Sequence, residues 1–235
     1  MKNIYIIVAT RNMHKVDEIR AILGGQIHYL TLNDFPGYPP VLEDTPTFEG
    51  NARKKSISFA KWIGRSSGRL FELIKHDSSE VYILADDSGL EVDVLSGAPG
   101  VHSARFAASD VSGAGNSPDS ANNAKLLRLL MDVPKEGRTA RFRSVIALTR
   151  LLFSPLNKTL MKADDDLLGR QTIVVDGACE GTIAMAASGK NGFGYDPLFY
   201  PQNSGQSFAE ITAEAKNKLS HRGKALEKLK MKMSL

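Results

Sequence analysis

Apolar residues along this chain fall into two patterns: short unbroken runs that suit buried strands, and stripes spaced three and four apart that suit helices packed on them. Ile4 to Val8 is the first unbroken run and predicts a strand. Val16, Ile19, Ile22 and Leu23 then recur at helical spacing, with Asn12 placed to cap the helix and Gly24-Gly25 to stop it. After a loop bearing Pro36, Pro39, Pro40 and Pro46, a second helix is expected from about Gly50 to Ile63. A weaker segment carries Leu70, Phe71, Leu73 and Ile74. Val81-Tyr82-Ile83-Leu84 predicts a buried strand, followed at once by Ala85-Asp86-Asp87-Ser88-Gly89-Leu90. A strand ending in acids and glycine delivers them to the place where open α/β sheets bind ligands, beyond the carboxyl ends of their strands. The same residues also suit a plain turn.

Gly97, Pro99 and Gly100 punctuate the next loop, and Ser117-Pro118 starts a helix with Ala124, Leu127, Leu130 and Met131 as apolar positions. Thr139 to Thr149 predicts a strand with Ala140, Phe142, Ile146 and Leu148 on one face. Two more strands are expected near Thr172–Asp176 and Thr182–Ala187. The stretch from Phe153 to Gln171 is polar, and its acidic run Asp164-Asp165-Asp166 reads as a solvated excursion rather than a metal site. The tail from Ala213 to Met233 reads as a basic helix interrupted at Ser220-His221-Arg222-Gly223. With no repeat, low-complexity region or linker, the chain reads as one domain over residues 1–235.

Bulk composition narrows the class without choosing the function. A chain of 235 residues, 42% hydrophobic and 24% charged, can bury a sizeable core and is ordinary for a soluble globular protein. Its single cysteine, Cys179, permits no internal disulfide and fits a reducing compartment. The run Ile4–Ala9 is shorter than a signal-peptide core and far shorter than a membrane span, so a cytoplasmic protein with no membrane partner is expected. A net charge of +4 and a pI near 9.1 suit a polyanion, whether nucleotide or nucleic acid.

Four constellations carry candidate chemistry. Thr10-Arg11-Asn12-Met13-His14-Lys15 lies where the first strand becomes the first helix, where exposed amides and the helix dipole favour an anion. It lacks the glycine spacing of a Walker loop, and a capped helix with an incidental lysine fits it equally. Glu43 precedes Asn51-Ala52-Arg53-Lys54-Lys55. At about 100° per residue, Lys55 falls roughly 60° from Ala52 and 40° from Phe59, where it either reaches into a cleft or snorkels at the edge of the apolar stripe. Lys54 and Lys61 face the opposite side and read as solubilising. Gly192-Phe193-Gly194-Tyr195-Asp196-Pro197 suits either a base-stacking platform or an aromatic turn packed in the core. Lys216 with Ser220-His221-Arg222 suits either recognition of purine O6 and N7 or an exposed basic turn.

Taken in order, these strings resemble the motifs of the inosine/xanthosine triphosphate pyrophosphatase family. ATRNMHK (9–15), TFEGNARKK (47–55), ADDSGLEVDVLSGAPGVHSARFA (85–107), GFGYDPLF (192–199) and KNKLSHRGKAL (216–226) carry the resemblance, which runs from Val8 to Leu229. It implies an elongated α/β fold, with a mixed central β-sheet flanked by helices and two lobes around an active-site cleft, and it implies a homodimer. The implied reaction is Mg²⁺-dependent cleavage of ITP, dITP or XTP to the monophosphate and pyrophosphate, a cleansing of the nucleotide pool, with no stable nucleic-acid partner.

Carried onto this sequence, Thr10, Arg11, Asn12, Met13, His14 and Lys15 look like the triphosphate loop, with Lys55 as a further cation. Glu43 and Asp87 look like the Mg²⁺ carboxylates, Asp87 also like the general base, and Ser88 like a substrate contact. Phe193, Gly194, Tyr195, Asp196, Lys216, His221 and Arg222 look like the base pocket. Arg11 and His14 stand where the family usually has glycine, and His102 where a tyrosine is common. The stretches Gly64–Glu80 and Phe153–Gln171 look longer than the family norm. Two other readings are a Maf-like pyrophosphatase for modified pyrimidines, which the Ser220-His221-Arg222 string disfavours, and a non-catalytic nucleotide or RNA-binding module. The latter leaves Glu43, Asp86 and Asp87 without a reason, since carboxylates repel a polyanion unless a metal intervenes.

Overall fold

A computed structural model describes residues 3–65, 67–74, 79–108, 115–154, 159–160 and 164–234. Parts of both long stretches, residues 66, 75–78, 155–158 and 161–163, lie outside the described residues. The elements run β1 (Asn3–Val8), α1 (Met13–Leu23), β2 (Ile27–Thr31), α2 (Phe48–Arg65), α3 (Gly68–Leu73), β3 (Ser79–Val92), α4 (Asp119–Leu129) and β4 (Thr139–Arg150). There follow β5 (Phe153–Ser154), β6 (Thr159–Leu160), α5 (Asp165–Arg170), β7 (Thr172–Ile183), β8 (Phe199–Pro201), α6 (Ala213–Leu219) and α7 (His221–Met233). The six longer strands form one sheet in the order β2-β1-β3-β4-β7-β8. It is mixed: β1 pairs in parallel with β2 and β3, and β7 pairs antiparallel with β8. Among the described residues, no helix is long and apolar enough to cross a membrane.

The chain divides into two compact units, each assembled from separated segments. The first holds residues 1–87, 145–175 and 226–235. Its core gathers Tyr5, Ile7, Val81, Ile83 and Ala85 from one face of β1 and β3 against Phe59, Ala60 and Ile63 of α2. Phe35, Tyr38 and Trp62 extend that core as an aromatic cluster, with Phe35 edge-on to Phe59 and Trp62 stacked on it. Asn12 caps α1 as its sequence position predicts, its side chain accepting from the N–H groups of His14 and Lys15.

The second unit holds residues 88–144 and 176–225. Leu90 and Val92 of β3, Leu126 of α4, Phe142 of β4 and Ile183 of β7 pack there with Tyr195, Phe199 and Phe208.

Three expectations need correction. The acids after Leu84 do not lie past the end of their strand, because β3 runs on to Val92 and contains them. Its parallel partner is what stops: β1 pairs as far as Val8 with Leu84.

The two strands expected at Thr172–Asp176 and Thr182–Ala187 are one, β7, which ends at Ile183. Gly177 and Gly181 both lie inside the strand, where backbone comes close. A Cβ on Gly177 would stand 2.1 Å from the His221 carbonyl oxygen, and one on Gly181 2.3 Å from that of Tyr200.

The acidic run is solvent-exposed, as expected, and opens α5. Asp164 caps α5 by accepting from Leu167 N–H at 2.8 Å, Asp165 pairs with Lys61, and Asp166 pairs with Arg170 at 2.6 Å. The tail is broken at Ser220 alone, and His221, Arg222 and Gly223 form the first turn of α7.

Arg138 is a cation turned into the interior. It is 1% exposed, and its guanidinium donates to the carbonyls of Val133, Ala184 and Leu130, holding the chain beyond α4 to the end of β7. Arg138→Ala should lower stability by about 3 kcal/mol, since three buried carbonyls lose a charged donor. A thermal melt should show a drop of roughly 10 °C; a melt within a degree or two of the parent would contradict this.

Candidate active site

Where β1 stops, β3 continues with two acids whose side chains point to opposite faces of the strand. Ala9 N–H closes the end of β1 on the Leu84 carbonyl at 2.7 Å. Beyond it, Asp86 meets Lys15 from the first turn of α1 at 2.8 Å. Asp87, on the same face as Ile83 and Ala85, meets Lys55 of α2 at 2.8 Å. The two acids are 4% and 5% exposed, so each charge depends on its lysine. Lys55 also donates to the Asp86 carbonyl at 3.0 Å and stands 3.4 Å from Glu43. Glu43 and Asp87 share a hydrogen bond. The helical angle that put Lys55 beside the apolar stripe therefore leads to a reaching lysine, while Lys54 pairs with Asp44 on the exposed side.

Asn51 is the residue whose part sequence reasoning missed. It is fully buried, donates from Nδ2 to Asp87 Oδ2 at 3.2 Å, and accepts at Oδ1 from the Thr45 N–H and hydroxyl. Its signal lay in an amide placed one helical turn before Lys55.

These contacts divide the carboxylates by proton affinity. Burial pushes Asp87 up to about 6, against the pull of Lys55 and Lys15. Burial also resists ionisation of Glu43, but Lys55, the hydrogen bond with Asp87 and Lys15 outweigh it and hold Glu43 below the usual carboxylate range. Burial likewise opposes the charge on Lys55, but Asp87 and Glu43 raise its proton affinity above the ordinary value. One acid of raised proton affinity beside one held firmly ionised is the arrangement expected when two carboxylates crowd a site. Two carboxylates, with the rest of the shell left to water and phosphate oxygen, suit the donor set of Mg²⁺. No cluster of three or more protein ligands of the kind a caged metal requires occurs among the described residues.

The loop before α1 joins this group through Lys15. Thr10 accepts from Asn12 N–H at 3.1 Å, fixing the turn that exposes the helix start. Arg11 donates to the Tyr38 carbonyl at 2.9 Å, so its side chain ties the loop to the Pro36–Pro40 segment. Met13 receives a weak contact from the Asn33 amide at 3.7 Å, and His14 is exposed, its N–H used in the cap.

The donors expected to read a base gather in the second unit. Lys216 pairs with Asp196 at 2.6 Å, and both are buried. Asp196 also accepts from Phe193 N–H at 2.8 Å, while Lys216 lies 4.7 Å and Arg222 5.9 Å from the centre of the Phe193 ring. Arg222 is 1% exposed and donates to the Ser88 hydroxyl at 2.9 Å. His221 is buried with its ring stacked on Phe142. Tyr195 is turned into the core and donates its hydroxyl to the Ser103 carbonyl at 2.9 Å, which leaves Phe193 as the aromatic face of this motif. Gly194, at φ +64°, sits between the two rings and sends them different ways.

The Ham1 family model matches residues 6–232. A dITP/XTP pyrophosphatase of Desulforamulus reducens is 43% identical over 226 residues, covering 95% of this chain and 92% of its own. One from Geobacter sulfurreducens is also 43% identical over 226 residues, covering 96% of this chain and 94% of its own. Among solved structures, a HAM1 protein from Coxiella burnetii matches with a TM-score of 0.74 at 32% identity, over 98% of both chains. The Ham1 protein of Staphylococcus aureus matches at 0.71 and 31%, again over 98% of both.

In the metal-free protein Asp87 should titrate near pH 6, protonated below and ionised above. Because its folded value is raised above 3.8, its contribution favours folding at acid pH and disappears as pH rises from about 4 through 6. Lys55→Met removes a charge that lowers the value, so the midpoint should move above 6. Carbon-13 titration of the side-chain carboxyls checks both; a downward move in the variant would contradict the assignment.

Proposed function

We propose that this chain, which belongs to the Ham1 family, hydrolyses the triphosphates of deaminated purines, ITP, dITP and XTP, to the nucleoside monophosphate and pyrophosphate. The observation that carries this reading is a phosphate-ready set of charges in the first unit. Lys15 and Lys55 stand on Asp86, Asp87 and Glu43, at the end of β1 and the start of α1. A purely binding site for a polyanion has no use for three carboxylates at that point, whereas a metal-assisted hydrolase requires them.

Glu43 and Asp87 are the residues that would hold Mg²⁺, which when bound neutralises phosphate charge and so assists displacement at phosphorus. Lys15 at the positive end of α1 binds the phosphates, and Lys55 offsets charge that develops as the anhydride bond breaks. Asp87, once ionised, orients the attacking water and takes its proton, with Asn51 fixing the rotation of the carboxylate. Asp86 keeps Lys15 in place.

In the second unit the base stacks on Phe193, and Lys216, His221 and Arg222 face its edge. Donors there suit the O6 acceptor of hypoxanthine and xanthine. Adenine presents an amino donor at that position and would leave them unpaired. The protein is read as a single catalytic domain, cytoplasmic and homodimeric. Its role is to remove deaminated purines from the nucleotide pool, and its partner is the nucleotide alone.

Pyrophosphate release from ITP, dUTP and ATP, with and without Mg²⁺, tests this directly. Release from ITP with Mg²⁺ is expected; release from dUTP would favour a pyrimidine-directed enzyme, and none from any nucleotide a binding module. Asp87→Asn keeps the shape of the side chain and leaves Lys55 paired with Glu43, so it should remain folded, though less stable, and lose roughly 10³-fold in kcat. Arg222→Ala should narrow the ITP to ATP preference by about tenfold or more, and an unchanged ratio would refute the O6 argument.

A further inference from the structure

We propose that Asp119 and Asn123, one turn apart on α4, are positioning residues that set the affinity of the base site through Phe193. This rests on the reading of Phe193 as the stacking face for the base. Gly194 is held at both of its backbone polar groups: its N–H donates to Asp119 Oδ2 at 2.6 Å, and its carbonyl accepts from Asn123 Nδ2 at 3.0 Å. Residues four apart on a helix share a face, so α4 presents an acceptor and a donor together, matched to one peptide unit and the next.

The need for such a grip follows from the local sequence. Phe193 stands between Gly192 at φ +74° and Gly194 at φ +64°. Glycines adopt these angles readily and adopt many others as readily, so the backbone does not by itself fix where the ring points. Contacts must do so. On one side Asp196 accepts from Phe193 N–H at 2.8 Å and is itself anchored by Lys216. On the other side the α4 pair holds Gly194, and Tyr195 is pinned through its hydroxyl to Ser103. Removal of the α4 pair frees both polar groups of Gly194, the residue next to the ring, and leaves Tyr195 as the remaining hold on that side.

The amide of Asn123 carries a further sign of this role. Among the described residues its Oδ1 is buried with no hydrogen-bond partner, a cost that an alanine there would not carry. Rotating the amide would relieve that atom only by setting oxygen against the Gly194 carbonyl oxygen. Its orientation is therefore set by the loop bearing Phe193, and it touches none of the charged groups assigned to phosphate or metal.

The test compares a ligand that has a base with one that lacks it. Steady-state kinetics give KM and kcat for ITP, and competitive inhibition by inorganic tripolyphosphate reports the phosphate site. Asp119→Ala and Asn123→Ala should each raise KM for ITP by about tenfold, with kcat held within twofold and tripolyphosphate inhibition unchanged. Asp119→Asn keeps an acceptor and should restore KM towards that of the parent. The proposal is overturned if KM for ITP stays at the parent value in both alanine variants, or if tripolyphosphate inhibition weakens in step with it. Phe193→Ala separates the two readings. A raised KM there with normal α4 variants defeats this inference alone, and an unchanged KM defeats the base-site assignment on which it stands.

Discussion

Two carboxylates buried side by side in a β-strand are tolerable only because each is met by a lysine. Asp86 and Asp87 are almost out of water, on opposite faces of β3, and their charges would be costly without Lys15 on one side and Lys55 on the other. Removing one partner of such a buried pair costs about 3–5 kcal/mol, because the other charge is stranded. The helices that supply the lysines therefore bind the strand through electrostatics as well as through packing. Cap, turn and proline-rich loop all bear on where those two ammonium groups stand. Asn12 fixes the first turn of α1, and Asn51 ties α2 to Asp87 and to Thr45.

The same pairing makes the site responsive. A carboxylate fully satisfied by lysine has little tendency to take a proton or a metal, yet Asp87 is pulled both ways: burial raises its proton affinity while Lys55 lowers it. Such balance keeps a group near the working range of a general base, and it comes from placing an acid in the interior and then only partly compensating it. Glu43, a third exposed along its side chain, completes the contrast on the wetter side.

Much of this was legible from residues alone, and the reasons differ by element. The Asn12 cap, the α1 stripe and the position of Lys55 at the edge of α2 follow from helical period and side-chain chemistry, which are local. The corrections all concern partners. A strand pattern cannot show that β1 ends at Val8 while β3 continues, because that depends on which neighbour is present and for how long. Nor can it distinguish a glycine that ends a strand from one that admits a crossing backbone, as at Gly177 and Gly181. Arg138 and Tyr195 show the same limit for side chains: residue type does not reveal that this cation and this aromatic are both spent on carbonyls inside the second unit. Five motifs in order carried the family because motif order records the whole set of partners at once.

Gly177 carries a consequence for how sequence variants of this protein are interpreted. The missing side chain leaves the β7 backbone against the His221 carbonyl and the Ala225 N–H. Even a methyl group there would have to displace the first turn of α7, which carries His221 and Arg222. This glycine thus sets how closely β7 and the first turn of α7 can approach, much as a shim sets a gap. A lesion at this position would be felt in the packing of that turn first, so a loss of activity there would report a displaced backbone and not a lost side chain.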